Sequence, residues 1–402
     1  MIGLQSWKAR YLFPPDGPPV KDGVLHAVDG KVCGWDASAP GGDVIDLGNA
    51  AIVAPLVNAH THLEFSDLDV PIGTPGEPLP AWIRKVVAQR RAAADRQDLP
   101  VLREQALARG LAESSAAGVR LLGEIATAPW SYSPWQAADA AGVIFYELLG
   151  MAPQRQEVLL QAAREHLQAG LAWGPSRRAG LSPHAPYTVT PELTAAVCQL
   201  SAESGCPVAM HLAESPEELR LLSHGDGPFR DMLVELGAWR PDVFSSALRP
   251  LDYLRWLSRA ERALVIHGNF LDAEEIAWIG RHRSRMTVVF CPRTHTFFQH
   301  RRYPLPEMLA AGIPVALGTD SRASNPDLQL WSEVQQVRRL YPEVPAAMIL
   351  QMATVNGAAA CGLFGYRLNV GDAADFTILD LPNDDAQDPF ALLFDPRTSV
   401  RG

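Results

Sequence analysis

Eight short apolar runs separated by helical stretches constrain this chain more than any other feature. They read AIVAPLVNA, VRLLGEIAT, VIFYELL, AGLSPHA, PVAMHLAE, ALVIHG, MTVVFCP and IPVALGTD. Continuous Val, Ile, Leu and Ala runs suit parallel strands covered on both faces; a strand with one wet face would alternate. Intervening segments such as PELTAAVCQLSAESG and AEEIAWIGRHR carry helical spacing. Eight strand–helix units predict an α/β fold, a closed (β/α)8 TIM-type barrel over residues 51–365.

The two ends of the chain read differently. Residues 1–50 hold brief alternating runs broken by DG and GG pairs, as in KDGVLHAVDGKVCGW and GDVIDLGNAAIVAP. That pattern predicts an antiparallel sheet with no helix. The tail contains LNVGDAADFTILDL, a glycine turn followed by another alternating run, and LPNDDAQDP reads as a surface loop. Residues 1–50 and 366–402 are therefore expected to pair into one small β-sandwich beside the barrel. Two unrelated edge decorations are the alternative. The end at TSVRG is abrupt for a strand and suggests that a final strand is missing.

Polar residues cluster where the apolar runs end. VNAHTHLEF sets His60 and His62 two positions apart, so both side chains leave the same face of one strand. His184 follows the fourth run, His211 and Glu214 the fifth, His267 the sixth, and Asp320 closes the eighth. In a parallel barrel all these strand ends open on one mouth. Singly, each has a bland reading: His267 a hydrogen-bonded structural residue, Asp320 a helix cap, Glu214 a first-turn acid. Together they would require many coincidences at one rim. Imidazoles and carboxylates gathered at one rim suit Zn²⁺ or Fe²⁺ with a position left for water. Such an ion lowers the pKa of its water from about 15.7 to about 7. His26, His166, His224, His282 and His300 are expected in loops or helices without chemistry.

NAHTHLEF, SPHAPYT, HLAES, VIHGNFL, ALGTDSRASN and the closing ATVNGAAACGL…LNVGDAADFTILD resemble the amidohydrolase superfamily across nearly the whole chain. The resemblance is to its branch of adenosine-derivative and guanine deaminases, triazine chlorohydrolases and cytosine deaminase-related metal-dependent hydrolases. It implies that His60, His62, His211 and Asp320 hold the metal and that Glu214 is the general acid/base. It further implies that His267 orients the water or its oxygen, and that His184 touches substrate. Members with two metals usually bridge them through a carbamylated lysine on a barrel strand. The four lysines here are Lys8, Lys21, Lys31 and Lys85, none on a middle strand, so a single ion is expected.

Near the rim, Glu64, Trp82, Glu124, Arg293 and His295 are candidate substrate contacts: an aromatic to stack on a heterocycle, an arginine to clamp a carboxylate. Core packing or solvation is the bland alternative for each. CPRTH stands where the nucleoside and guanine deaminases carry N-P-x-S-N. The expected activity is hydrolytic deamination of an aminated heterocycle, with a purine or aminofutalosine-like substrate. Alternatives are cyclic-amide hydrolysis of the imidazolonepropionase kind, C–Cl hydrolysis, or a non-catalytic scaffold. Net charge of −10 argues against a nucleic-acid ligand, and no run is long enough for a membrane helix. Five scattered cysteines and no basic-then-apolar leader point to a cytoplasmic protein. A homodimer is compatible with this reading.

Overall fold

The computed structural model describes residues 3–36 and 44–401. Its central sheet has eight parallel strands in sequential order: β1 (Leu56–Thr61), β2 (Val119–Thr127), β3 (Ala141–Leu148), β4 (Arg177–Pro183), β5 (Pro207–Leu212), β6 (Arg262–His267), β7 (Met286–Phe290) and β8 (Val315–Leu317). The predicted barrel is present, with a strand at each of the eight expected runs, although the first enters it only from Leu56. Closure between the first and last strands is slight. Thr61 and Asp320 form one parallel bridge, and the Asp320 amide donates to the His60 carbonyl at 3.1 Å. Asn58 reinforces the seam: its side-chain amide donates to Thr319 Oγ1 at 2.7 Å, and its carbonyl oxygen accepts from Thr319 N at 3.0 Å. Gly318 makes this approach feasible, since a Cβ there would lie 2.8 Å from the His60 carbonyl oxygen.

The strands are apolar on both faces because both faces are covered. Val57, Ala59, Leu121, Ile125, Val143, Phe145, Leu264 and Ile266 belong to one interior cluster. It also includes Ala358, Cys361 and Leu363 from the segment that follows the last barrel helices. Outside, Leu99–Ala116 packs on β2, Pro153–Gly170 on β3 and β4, and Pro191–Ser204 on β4 and β5. Local sequence sets these bounds. Thr190 accepts from Leu193 N to start Pro191–Ser204, and Gly205 ends it with φ 66°. No helix among the described residues is long and apolar enough to cross a membrane.

The run AIVAPLVNA is not one strand, as expected, but two. Pro55, which has no N–H to give a ladder, separates Ala50–Val53 from β1. Ala50–Val53 joins a five-stranded sheet with Tyr11–Phe13, Val20–Lys21, Thr377–Asp380 and Ser399–Val400. A four-stranded sheet is built from Leu4–Lys8, Val24–Val28, Lys31–Asp36 and Val44–Asp46. The part of the expected N-terminal sheet over residues 37–43 lies outside the described residues. His26 is in a strand, not a loop, 2.9 Å from the Ser6 hydroxyl.

Candidate active site

The mouth of the barrel gathers residues from six strand ends. His60 and His62 meet at right angles, with ring centroids 4.9 Å apart. His62 Nε2 lies 3.3 Å from His211 Nε2, and Asp320 Oδ1 lies 3.6 Å from His60 Nε2 and 3.9 Å from His62 Nε2. The His184 carbonyl, which can only accept, lies 3.1 Å from His211 Nδ1, so that nitrogen carries the proton and Nε2 a lone pair. Ser324 donates to Asp320 Oδ2 at 3.1 Å, leaving Oδ1 toward the imidazoles.

These atoms fit a metal. His60 Nδ1, His60 Nε2 and His62 Nδ1 are buried without a hydrogen-bond partner. Ligand atoms of a tetrahedral zinc site lie roughly 3.4 Å apart when each bond is about 2.1 Å, close to the separations above. Burial holds the His62 and His211 imidazoles well below the ordinary histidine range, with neighbouring imidazoles adding to it. Neutral imidazole is the ligating form.

Positioning this cluster takes unusual backbone. Ala213, His267 and Asp320 all have positive φ (54°, 66° and 56°) at or just past strand ends. Asp tolerates the left-handed region better than most residues; His267 and Ala213 are held there by their surroundings. Glu218, fully buried at the start of α2 (Pro216–His224), accepts from Ala213 N at 2.9 Å and Glu214 N at 2.8 Å. The Glu214 carbonyl accepts from Asn269 at 2.9 Å. Glu214 Oε1 therefore sits 3.4 Å from His267 Nε2. Burial raises the Glu214 carboxyl well above its ordinary range, reinforced by Asp320 and Glu218. The same burial lowers His267 to about 3, and Tyr303 donates to its carbonyl at 2.8 Å.

Above the cluster opens a cavity of about 270 Å³. Its far wall comes from α1 (Leu79–Ala93) and α3 (Pro228–Glu235). The α1 face presents Leu79, Trp82, Ile83, Val86, Val87 and Arg90, and Met232, Leu233 and Leu236 stand opposite. His184 and Trp82 line this cavity, and the Trp82 indole N–H is given to the Ile72 carbonyl at 2.9 Å.

The other four expected substrate contacts lie outside its lining. Glu64 stands behind Arg90, 2.6 Å from its guanidinium. Glu124 lies three residues before the end of β2, and both carboxylate oxygens accept from Leu63 N at 3.0–3.2 Å. Arg293 is clamped by Asp327 at 2.6 and 2.9 Å. His295 is buried against Phe290 and Tyr303. Arg90, Glu147 and Glu218 escaped the sequence reading. Arg90 continues the 79–82–83–86–87 helical stripe, and Glu147 lies one residue before the end of β3, close to the rim where His267 was picked out.

Residues 51–401 match the sequence profile of the Amidohydrolase family. The aminodeoxyfutalosine deaminase of Deinococcus radiodurans is 33% identical over 333 residues, 79% of this chain and 75% of that protein. Helicobacter pylori aminofutalosine deaminase superposes with TM-score 0.84 over 99% of this chain and 98% of its own, at 19% identity. An adenosine deaminase from Xanthomonas campestris with bound zinc superposes with TM-score 0.77 over 98% and 89%, at 20% identity. By sequence over most of its length, and with a fold shared by those structures, this chain belongs to the amidohydrolase family.

Proposed function

We propose that the chain is a metal-dependent hydrolytic deaminase of an adenosine-type nucleoside with an extended 5′ substituent. One observation carries this reading: His60 Nε2 and His62 Nε2 lie 3.6 and 3.9 Å from Asp320 Oδ1, beside a buried Glu214 whose carboxylate burial has made more basic. His60, His62, His211 and Asp320 would hold one divalent ion, zinc by the nitrogen-rich donor set, with iron the alternative. When bound, the ion supplies a water acidic enough to lose its proton near neutral pH. The rest of the chemistry belongs to the chain. Glu214 takes that proton and returns it to the ring nitrogen, a role suited to a carboxyl whose pKa burial has raised. His267, 3.4 Å from Glu214, is the positioning partner at the reacting carbon. His184 and the aromatic side of the cavity receive the heterocycle. The water oxygen bonds to the ring carbon, its remaining proton passes to the amino group as the C–O bond becomes a carbonyl, the C–N bond breaks, and ammonia leaves.

Substrate length follows from the cavity. An apolar wall ending in one cation suits a 5′ group that is hydrophobic and carries an anionic end, as in aminodeoxyfutalosine. Five unpaired cysteines suit a reducing cytoplasm. The test is ammonia release and product mass for aminodeoxyfutalosine, other 5′-substituted adenosines, guanine, a chlorotriazine and a cyclic amide. Ammonia equimolar with the hypoxanthine nucleoside is expected. Release of chloride or of ring-opened acid alone overturns deamination.

A further inference from the structure

Glu147 and His184 face each other in the same cavity without a bond between them. Glu147 Oε1 is 3.8 Å from His184 Nε2, too far for a hydrogen bond. That oxygen has no partner, on a side chain only 3% exposed, while Oε2 is engaged by the Thr127 hydroxyl at 2.7 Å. The Thr188 hydroxyl donates to the Ala185 carbonyl at 3.1 Å, so at 2.7 Å its oxygen accepts from His184 Nδ1. His184 Nε2 is left with a lone pair aimed at a carboxylate oxygen. Two such atoms in a buried site repel, and a proton or a metal cation between them relieves that repulsion.

A third ligand is at hand. One atom from each of Glu147, His184 and His211 lies within 4.8 Å of the other two, as holds for His60, His62 and His211. His211 belongs to both groups, and only its Nε2 is free to ligate, because Nδ1 is bonded to the His184 carbonyl. One imidazole nitrogen binds one ion at a time. The two positions exclude each other, so they do not form a binuclear centre. They also differ in depth: the His184 side chain is 20% exposed and that of His60 is 0% exposed.

We propose that Glu147, His184 and His211 form a staging site that captures the metal ion first and hands it inward to His60, His62 and Asp320 by a pivot about His211. This rests on the metal-centre reading above. The test uses full-length protein stripped by a chelator and follows uptake of Zn²⁺ or Co²⁺ in stopped flow. Glu147→Gln is expected to slow uptake at least about tenfold, the scale on which local charge focuses ion capture, while final affinity stays near wild type. His60→Ala combined with Asp320→Asn is expected to keep a weaker Co²⁺ site that disappears when Glu147→Gln is added. His184→Gln serves as the second variant should Glu147→Gln not fold, and it too should load slowly. Uptake by these variants at the wild-type rate overturns the staging site alone. Wild-type apoprotein that takes up neither ion overturns the metal centre, and the staging site with it.

Discussion

At the floor of the cavity every polar side chain hangs from a strand end or the turn that follows it; at its far wall the lining hangs from α1 and α3. Strand ends are tied to neighbours on both sides. His60, His211 and Asp320 are thereby tied down by ladder and seam hydrogen bonds, as reacting groups require. The helical wall has no such ladder. Its residues meet the ligand through apolar contact, where shape and area count and a small displacement costs little. The lesson is a division of labour: reaction type is written into the rigid ring, substrate choice into a surface that tolerates change.

Three substitutions probe that division, and the ring should respond most. Glu214→Gln keeps size and most contacts but cannot shuttle a proton. Turnover is expected to drop about 10²–10⁴-fold while metal content, read by elemental analysis, stays at the wild-type level. Normal turnover in that variant would break the comparison at its root. Next comes the support beneath it. Burial raises the Glu218 carboxyl from 4.5 to about 7, partly offset by the backbone N–H groups it accepts. The folded protein therefore retains a proton that the unfolded chain releases between those values. This stabilisation is full below 4.5 and is lost as pH rises through about 7. Between pH 5 and 7.5 the wild type should lose up to about 3 kcal/mol relative to Glu218→Gln, visible as converging or crossing thermal midpoints. Equal pH dependence of the two would mean that Glu218 is not held as described. The wall should respond least. Arg90→Met is expected to raise KM about tenfold for a 5′ substituent with an anionic end, the worth of one charged hydrogen bond. For a neutral 5′ substituent, kcat and KM should stay put. A loss shared equally by both substrates would move Arg90 from the wall to the ring.

The same division explains what could be read from the sequence. The strands announced themselves because apolar runs buried on both faces have few other uses. The candidate ligands followed because parallel strands bring their ends to one rim. Glu124 and Glu147 show how narrow the rule is: both are acids in barrel strands, yet Glu124 sits three residues short of the strand end and turns to Leu63 N. Arg293 reads as a clamp by its nearness to β7, but its partner, Asp327, lies 34 residues onward, which no local pattern discloses. Arg90 was hidden because an apolar helical stripe looks the same whether it covers a core or a ligand. Pro55 marked a break inside what read as one continuous run.

The ring of strands is fastened at a single bridge, and the two residues nearest that fastening, His60 and Asp320, are both proposed to grip the ion. A cation shared by the first and eighth staves acts as a rivet through the joint. Starving the protein of metal would then act like a denaturant with an address, loosening one joint of the barrel ahead of the other seven.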